Sequence, residues 1–182
     1  MRIAEQKIRD LLNPSQVSAH HLKDDGPIPN NPKLPLLIYQ AALNLSEENP
    51  ASAIENLLAS NKWGGSWRNG IYNFHHYHST AHEVLIFYSG SATVQLGGEK
   101  GITQIIRPGD AMIIPAGVGH KNLGSSSDFA IVGAYPKGQA WDMCYGKPGE
   151  RPKADQNIAR VPLPKADPLY GDHGSLMEHW RQ

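Results

Sequence analysis

The 182-residue chain has one cysteine, Cys144, which excludes an internal disulfide and any multi-cysteine zinc site. Its ordinary role is that of a small core or surface residue. Charge of one sign is also lacking, because 17 Lys plus Arg balance 17 Asp plus Glu. Without a basic or acidic footprint, neither nucleic acid nor an anionic membrane is the expected partner, and a small molecule is. Long apolar runs are missing too. The N-terminal "MRIAEQKIRDLLNPSQ" sets Ile3, Ile8, Leu11 and Leu12 among charges, unlike a signal peptide or a membrane span. These absences lead us to expect a soluble, cytoplasmic, single-domain protein long enough to enclose a pocket.

What is present divides into three stretches of one domain. Residues 1–66 read as a helical and extended segment packing on a barrel: a short amphipathic helix ended by Asn13-Pro14, then a proline-broken stretch holding His20 and His21 at the surface. "LPLLIYQ" follows as a strand, and Ala51, Ile54, Leu57 and Leu58 stripe a second helix that Gly64-Gly65 should stop. Residues 67–135 change texture to short runs of Val, Ile, Phe, Tyr and Thr between turn signals such as "LGGEKG", "RPGD" and "PAGVG". Regular short strands with Gly and Pro punctuation predict an all-β sandwich or barrel. Residues 136–182 are too rich in Pro and Gly for regular structure yet keep Trp141, Tyr145, Leu163, Leu169, Tyr170 and Trp180. They predict an extended C-terminal wrap over the barrel or over a neighbouring subunit.

Within the middle stretch, "HHYHSTAHE" at 75–83 concentrates four histidines and a glutamate. One reading is a helical zinc pair, His78 and His82 at i and i+4, but the surrounding Tyr, Phe, Val and Ile favour strands. A second is polar decoration of an exposed strand edge. In a third, a strand pleat turns His76 and His78 to one face together with Tyr72 and Phe74, while His75 and Tyr77 face the other way. Ser79-Thr80-Ala81 looks like a turn, after which the phase restarts, so that His82 or Glu83 can face inward. If Glu83 does, Leu85 and Phe87 line the same interior; Asn122 shares phase with His120.

The wider spacing resembles a cupin. A glycine, five residues, His-x-His, four residues, Glu, six residues and a glycine run from Gly70 through His76, His78 and Glu83 to Gly90. A second motif runs from Gly109 through Pro115-Ala116-Gly117 to His120, but the asparagine expected at 124 is Gly, and Asn122 comes two residues early. More narrowly, "HEVLIFYSGSATVQLGGEKG", "IPAGVGHKNLGSSSDF" and "VGAYPKGQAWDMCYGKPGERP" resemble the YjlB-type bacterial cupins, a resemblance that covers nearly the whole chain after about His20.

This resemblance implies an antiparallel jelly-roll barrel with short N-terminal helices, and a homodimer. It also implies one divalent transition metal, Fe, Mn, Ni, Zn or Cu, held by His76, His78, Glu83 and His120. His75 would face outward. Tyr72, Phe74, His82, Leu85, Phe87 and Asn122 are the expected pocket or supporting residues. Two functions stay open: a metal-dependent oxygenase, decarboxylase or isomerase of a small carbonyl, enol or carboxylate compound, or a noncatalytic metal and small-molecule binder or sensor.

Overall fold

The computed structural model describes residues 2–46 and 48–181. Its helices and strands run α1 (Arg2–Leu11), β1 (Gln16–His20), β2 (Leu36–Gln40), α2 (Pro50–Ser60), β3 (Trp63–Asn69), β4 (Glu83–Ser89) and β5 (Ala92–Leu96). They continue with β6 (Ile102–Ile106), β7 (Ala111–Ile114), β8 (His120–Ser125), β9 (Ala130–Pro136), α3 (Lys153–Ile158) and α4 (Ser175–His179). A six-stranded sheet in the order β1-β2-β7-β4-β9-β3 faces a three-stranded sheet, β6-β5-β8. Every pairing is antiparallel, giving the jelly-roll architecture.

The central strands β2, β4 and β7 of the larger sheet are buried on both faces, which is why "LLIY", "VLIF" and "AMII" read as unbroken apolar runs rather than as alternation. On the face toward the smaller sheet, Leu36, Ile38, Leu85, Phe87, Met112 and Ile114 meet Val94, Leu96 and Ile106. On the other face, Leu37, Tyr39, Val84, Ile86, Ile113 and Val132 pack against α2 and the C-terminal residues Leu169, Leu176 and Trp180. The pleat of β4 therefore assigns Glu83, the first residue of that strand, to the interior with Leu85 and Phe87.

Several local expectations change. Helix α2 begins with Pro50 after an Asn49 side chain that accepts from the Ser52 N–H, and its buried stripe is the expected one. It ends at Ser60, before the glycines. Gly64 and Gly65 instead lie in β3, where the pairing with β9 slips between Gly64 and Trp67. His20 sits in β1, paired with Leu36, rather than in an irregular stretch. Strands β1 and β2 are thus members of the sheet and not a segment laid upon it. The C-terminal stretch is not wholly irregular either, since α3 and α4 each form a short helix once Ala154 and Ile158, or Leu176, find apolar cover. Tertiary burial outweighs local Pro and Gly content there.

Gly133 on β9 answers a close approach. A side chain there would penetrate the Trp67 indole, which lies across the glycine. We expect Gly133→Ala to displace Trp67 and cost about 1–3 kcal/mol by overpacking. Urea unfolding would check this, and an unchanged midpoint with unchanged tryptophan emission would contradict it.

Candidate metal centre and its pocket

Four side chains converge inside one end of the barrel. His76 and His78 come from the stretch between β3 and β4, Glu83 opens β4, and His120 opens β8. The His76 N–H donates to the His120 carbonyl at 3.3 Å and the His120 N–H returns the bond at 3.0 Å. Tyr77, between the two inward histidines, faces away and is bridged to Cys144 through both backbone bonds, at 2.9 and 3.0 Å. Alternation across this short bridged stretch is what turns two imidazoles inward together.

The ligating atoms of His76, His78 and His120 all lie within 4.8 Å of one another, and all three residues are buried. Each ring is oriented through Nδ1 by a backbone carbonyl, which can only accept: Phe74 O for His76 at 3.2 Å, Val118 O for His120 at 3.2 Å, and Asp142 O for His78. Nδ1 therefore carries the donated proton and Nε2 of each ring turns to the centre. Glu83 Oε2 stands 3.4 Å from His78 Nε2 and 3.2 Å from His120 Nε2. That oxygen is fully enclosed and has no hydrogen bond. An orphaned carboxylate oxygen beside converging imidazole nitrogens is what a bound cation would satisfy, so these residues fit a metal.

Electrostatics agree. Burial, and then the charge of His120, push His76 down to about 3, so it is neutral at ordinary pH as a ligand must be. Burial also disfavours the charge on Glu83, but His78 and His120 hold its carboxyl well below the usual range. Burial likewise opposes charge on His78, yet the Glu83 carboxylate outweighs it and raises that pKa.

His82 follows a different path. It is buried on the opposite face of the sheet, its ring 4.8 Å from Trp180, and its Nδ1 accepts from the Ala116 N–H at 2.9 Å. It supports the Pro115-Ala116 turn from outside the pocket, and burial pushes it down to about 4. Both His76 and His82 thus bind protons less readily folded than unfolded, where histidine titrates near 6.5. The unfolded chain takes up more protons below that value, so the metal-free protein should lose stability as pH falls from about 6.5 toward 4. Each group contributes on the order of 1.4 kcal/mol per pH unit. The raised pKa of His78 acts only above this window. Thermal unfolding across the range is the check; a midpoint that does not move would contradict it.

The other expected pocket residues part company. A cavity of about 360 Å³ opens onto the cluster and is lined by Tyr72 and Leu85 as expected. Phe87 is not there; it lies in the core between the sheets. Phe74 is 40% exposed and stacks on Tyr72, outside the cavity wall, because residues 70–75 form no strand and the pleat does not extend to them. Asn122 spends its side chain in its own turn, donating to Ser125 Oγ and accepting from the Gly124 N–H. His75 faces Glu99, 3.1 Å away, outside the cluster.

Sequence reasoning missed much of the wall. Trp67, Tyr135, Trp141 and Met143 line the cavity. It also missed Asp142, whose carboxylate takes both the N–H and the hydroxyl of Ser79 and so holds the turn following His78. Tyr135 continues the register in which Val84 faces Ala134 and Leu85 faces Gly133, and so stands beside Glu83, a neighbour that only the β4–β9 pairing provides. Its hydroxyl accepts from Trp67 Nε1 at 2.9 Å. Burial, then the Glu83 charge, raise its pKa and keep the phenol protonated.

Two facing antiparallel sheets around this cluster, with residues 69–130 matching the family model described as a Cupin domain, define a cupin. The chain is 44% identical over 165 residues to the uncharacterized protein YjlB of Bacillus subtilis (strain 168), covering 91% of this chain and 97% of that one. It belongs to the YjlB-type cupins.

Among solved structures, it is similar to the Escherichia coli ribosomal oxygenase YcfD, with 15% identity, a TM-score of 0.38, and 73% of this chain and 42% of that one covered. It is also similar to the dTDP-6-deoxy-D-glucose-3,5-epimerase RmlC of Legionella pneumophila, with 14% identity, a TM-score of 0.37, and 67% and 72% covered. Likeness at that level says nothing about substrate. Among the described residues, no helix is long and apolar enough to cross a membrane.

Proposed function

We propose that His76, His78, Glu83 and His120 bind one divalent transition metal and that the protein is a metal-dependent enzyme acting on a small carbonyl, enol or carboxylate compound. The observation that carries this reading is Glu83 Oε2, buried without a hydrogen bond between two imidazole nitrogens. When bound, such an ion supplies Lewis acidity, and in the redox-active cases electron transfer, to an oxygen ligand. The nitrogen and oxygen donors suit Fe, Mn, Ni, Zn or Cu. Around the ion, Leu85, Met143 and Trp67 would exclude water, and Tyr135 would hold a proton at its hydroxyl within reach of the carboxylate end of the cluster. Oxygenation, decarboxylation and isomerisation all suit this donor set.

The second reading is a noncatalytic binder or sensor. Its support is the scarcity of acid-base groups in the cavity wall: outside the cluster, Tyr135, Tyr72 and Arg68 are the titratable residues lining it. Metal-loaded protein incubated with a panel of small carbonyl, enol and carboxylate compounds separates the two. Multiple-turnover product or oxygen uptake supports the enzyme. Raised thermal stability with every compound recovered unchanged supports the binder. We include in the proposal a cytoplasmic location, consistent with the lone unpaired cysteine, and a homodimer, consistent with the exposed Ile105 and Leu123. Light scattering in solution tests the latter.

A further inference from the structure

His76, His78 and Glu83 fall within one eight-residue stretch, yet between His78 and Glu83 the chain is neither helix nor strand. Its backbone N–H groups turn instead to side chains from the stretch that follows β9. Those of Ser79 and Thr80 donate to Asp142 Oδ1 at 2.6 and 3.3 Å, and that of His82 donates to Gln139 Oε1 at 2.9 Å. Asp142 Oδ2 takes the Ser79 hydroxyl as well, and the Asn157 side-chain amide donates to the same Ser79 oxygen at 3.0 Å. Ser79 is fully buried at the centre of this network. Bonds to an ionised carboxylate are the stronger kind, so the turn between the ligands is firmly held.

One residue of that network also reaches a ligand directly. The Asp142 carbonyl accepts from His78 Nδ1, as those of Phe74 and Val118 do for His76 and His120. Of these three orienting residues, Phe74 and Val118 are apolar and Asp142 alone carries a charge. Burial opposes that charge, but the Ser79 hydroxyl and N–H hold the Asp142 carboxyl below its usual range, so it is ionised at ordinary pH. Three neutral imidazoles and Glu83 offset one of the two charges of a divalent ion. A carboxylate on a residue bonded to a ligand is placed to offset the other without taking a position on the ion.

We propose, resting on the metal reading above, that Asp142 is a positioning residue of the metal centre, acting through His78. Its carbonyl sets the direction of the ring, its carboxylate fixes the turn between His78 and Glu83, and its charge offsets the positive charge that Glu83 leaves on the ion. Removing that charge has two consequences of opposite sign. The protein holds a divalent cation less tightly, whereas the bound cation attracts a small anion more tightly. Loss of a purely mechanical support produces the first and not the second.

The test uses the full chain loaded with cobalt(II), whose visible bands report on the ion and on what it binds. Competition with a colorimetric chelator reads cobalt affinity, and titration of the bands with azide reads anion affinity. Asp142→Asn keeps the shape of the side chain and removes its charge. We expect it to weaken cobalt about ten- to a hundredfold, the range for supporting residues, and to tighten azide about threefold or more. Gln139→Ala removes the bond to His82 from the same stretch and touches no charge. It should leave azide binding unchanged and cobalt affinity within about fivefold, the worth of one neutral hydrogen bond. Asp142→Glu moves the carboxylate by one methylene, so cobalt should weaken while azide binds as in the parent.

Parental cobalt affinity in Asp142→Asn would overturn the proposal while leaving the metal reading intact. A weakened affinity with azide unchanged or weaker would do the same, as would an equal pair of changes in Gln139→Ala. If Asp142→Asn does not fold, Asp142→Glu decides: weakened cobalt with parental azide binding supports the proposal, and any other pair overturns it. Cobalt bands that never appear, or that persist unchanged in His120→Ala, would overturn the metal reading itself and this inference with it.

Discussion

Replacing Asp167 by alanine should destabilise the protein by about 3–5 kcal/mol, a large part of what holds an ordinary domain together. Asp167 is fully buried, and its two oxygens receive four donors. Oδ1 accepts from the Leu169 N–H at 2.8 Å and the Tyr170 N–H at 3.0 Å. Oδ2 accepts from the Leu176 N–H at 3.1 Å and from the Tyr39 hydroxyl. Tyr39 lies on β2 in the outer-face core, so this one carboxylate ties the C-terminal stretch to the six-stranded sheet. Each orphaned donor costs about 1–3 kcal/mol, and partial entry of water into the space left by the side chain keeps the total below the simple sum. Loss of the tie should also loosen Trp180, whose indole N–H donates to the Pro35 carbonyl at 2.9 Å. Thermal and urea unfolding read the first effect; amide exchange at 167–176 reads the second. A melting temperature within about 2 °C of the parent would refute the assignment.

His120→Ala should weaken metal binding by well over a hundredfold, since a change to a supporting residue alone can cost ten- to a hundredfold. Glu83→Gln should do nearly as much, by removing the negative charge that makes the cluster attractive to a divalent ion. His75→Ala should leave affinity unchanged, because that ring faces Glu99 rather than the centre. Elemental analysis of protein purified without a chelating tag, followed by competition with a colorimetric chelator, distinguishes these outcomes. Equal losses in all three variants would show that the ligand assignment is wrong. Affinity should also fall as pH drops from above about 6.5, because protons compete for the ring of His78, whose pKa the Glu83 carboxylate raises, while His76 stays neutral down to about 3. Full occupancy retained at pH 5 would count against histidine ligation.

Legibility from the chain alone followed the range of the interaction. The inward turn of His76 and His78 is a property of a few consecutive residues, and the Gly70-to-Gly90 and Gly109-to-His120 spacings carry the fold with them. The apolar stripe of α2 was equally local. Phase counting failed where no strand existed to count along: Phe74 was extrapolated from a pleat that ends near the His76 bridge and lies outside the cavity wall, although Tyr72 does line it. It also failed at Phe87, which shares the face of Glu83 but lies too deep between the sheets to touch the cavity.

From its residues alone, then, this chain declared a β-barrel and the inward pairing of His76 with His78, because pleat and turn chemistry are local. Tertiary structure decided that Glu83 and not His82 faces the centre, since that depends on which face of β4 meets the smaller sheet. It also decided that Asp142, 64 residues from His78, orients that ring through its carbonyl. The cavity wall has the same origin: Trp67 is 68 residues from Tyr135, and it becomes a neighbour of Tyr135 and the nearby Trp141 only when β3 pairs with β9. Contacts of that span are set by which surfaces remain to be buried once the sheets have formed, and no window of neighbouring residues contains that information.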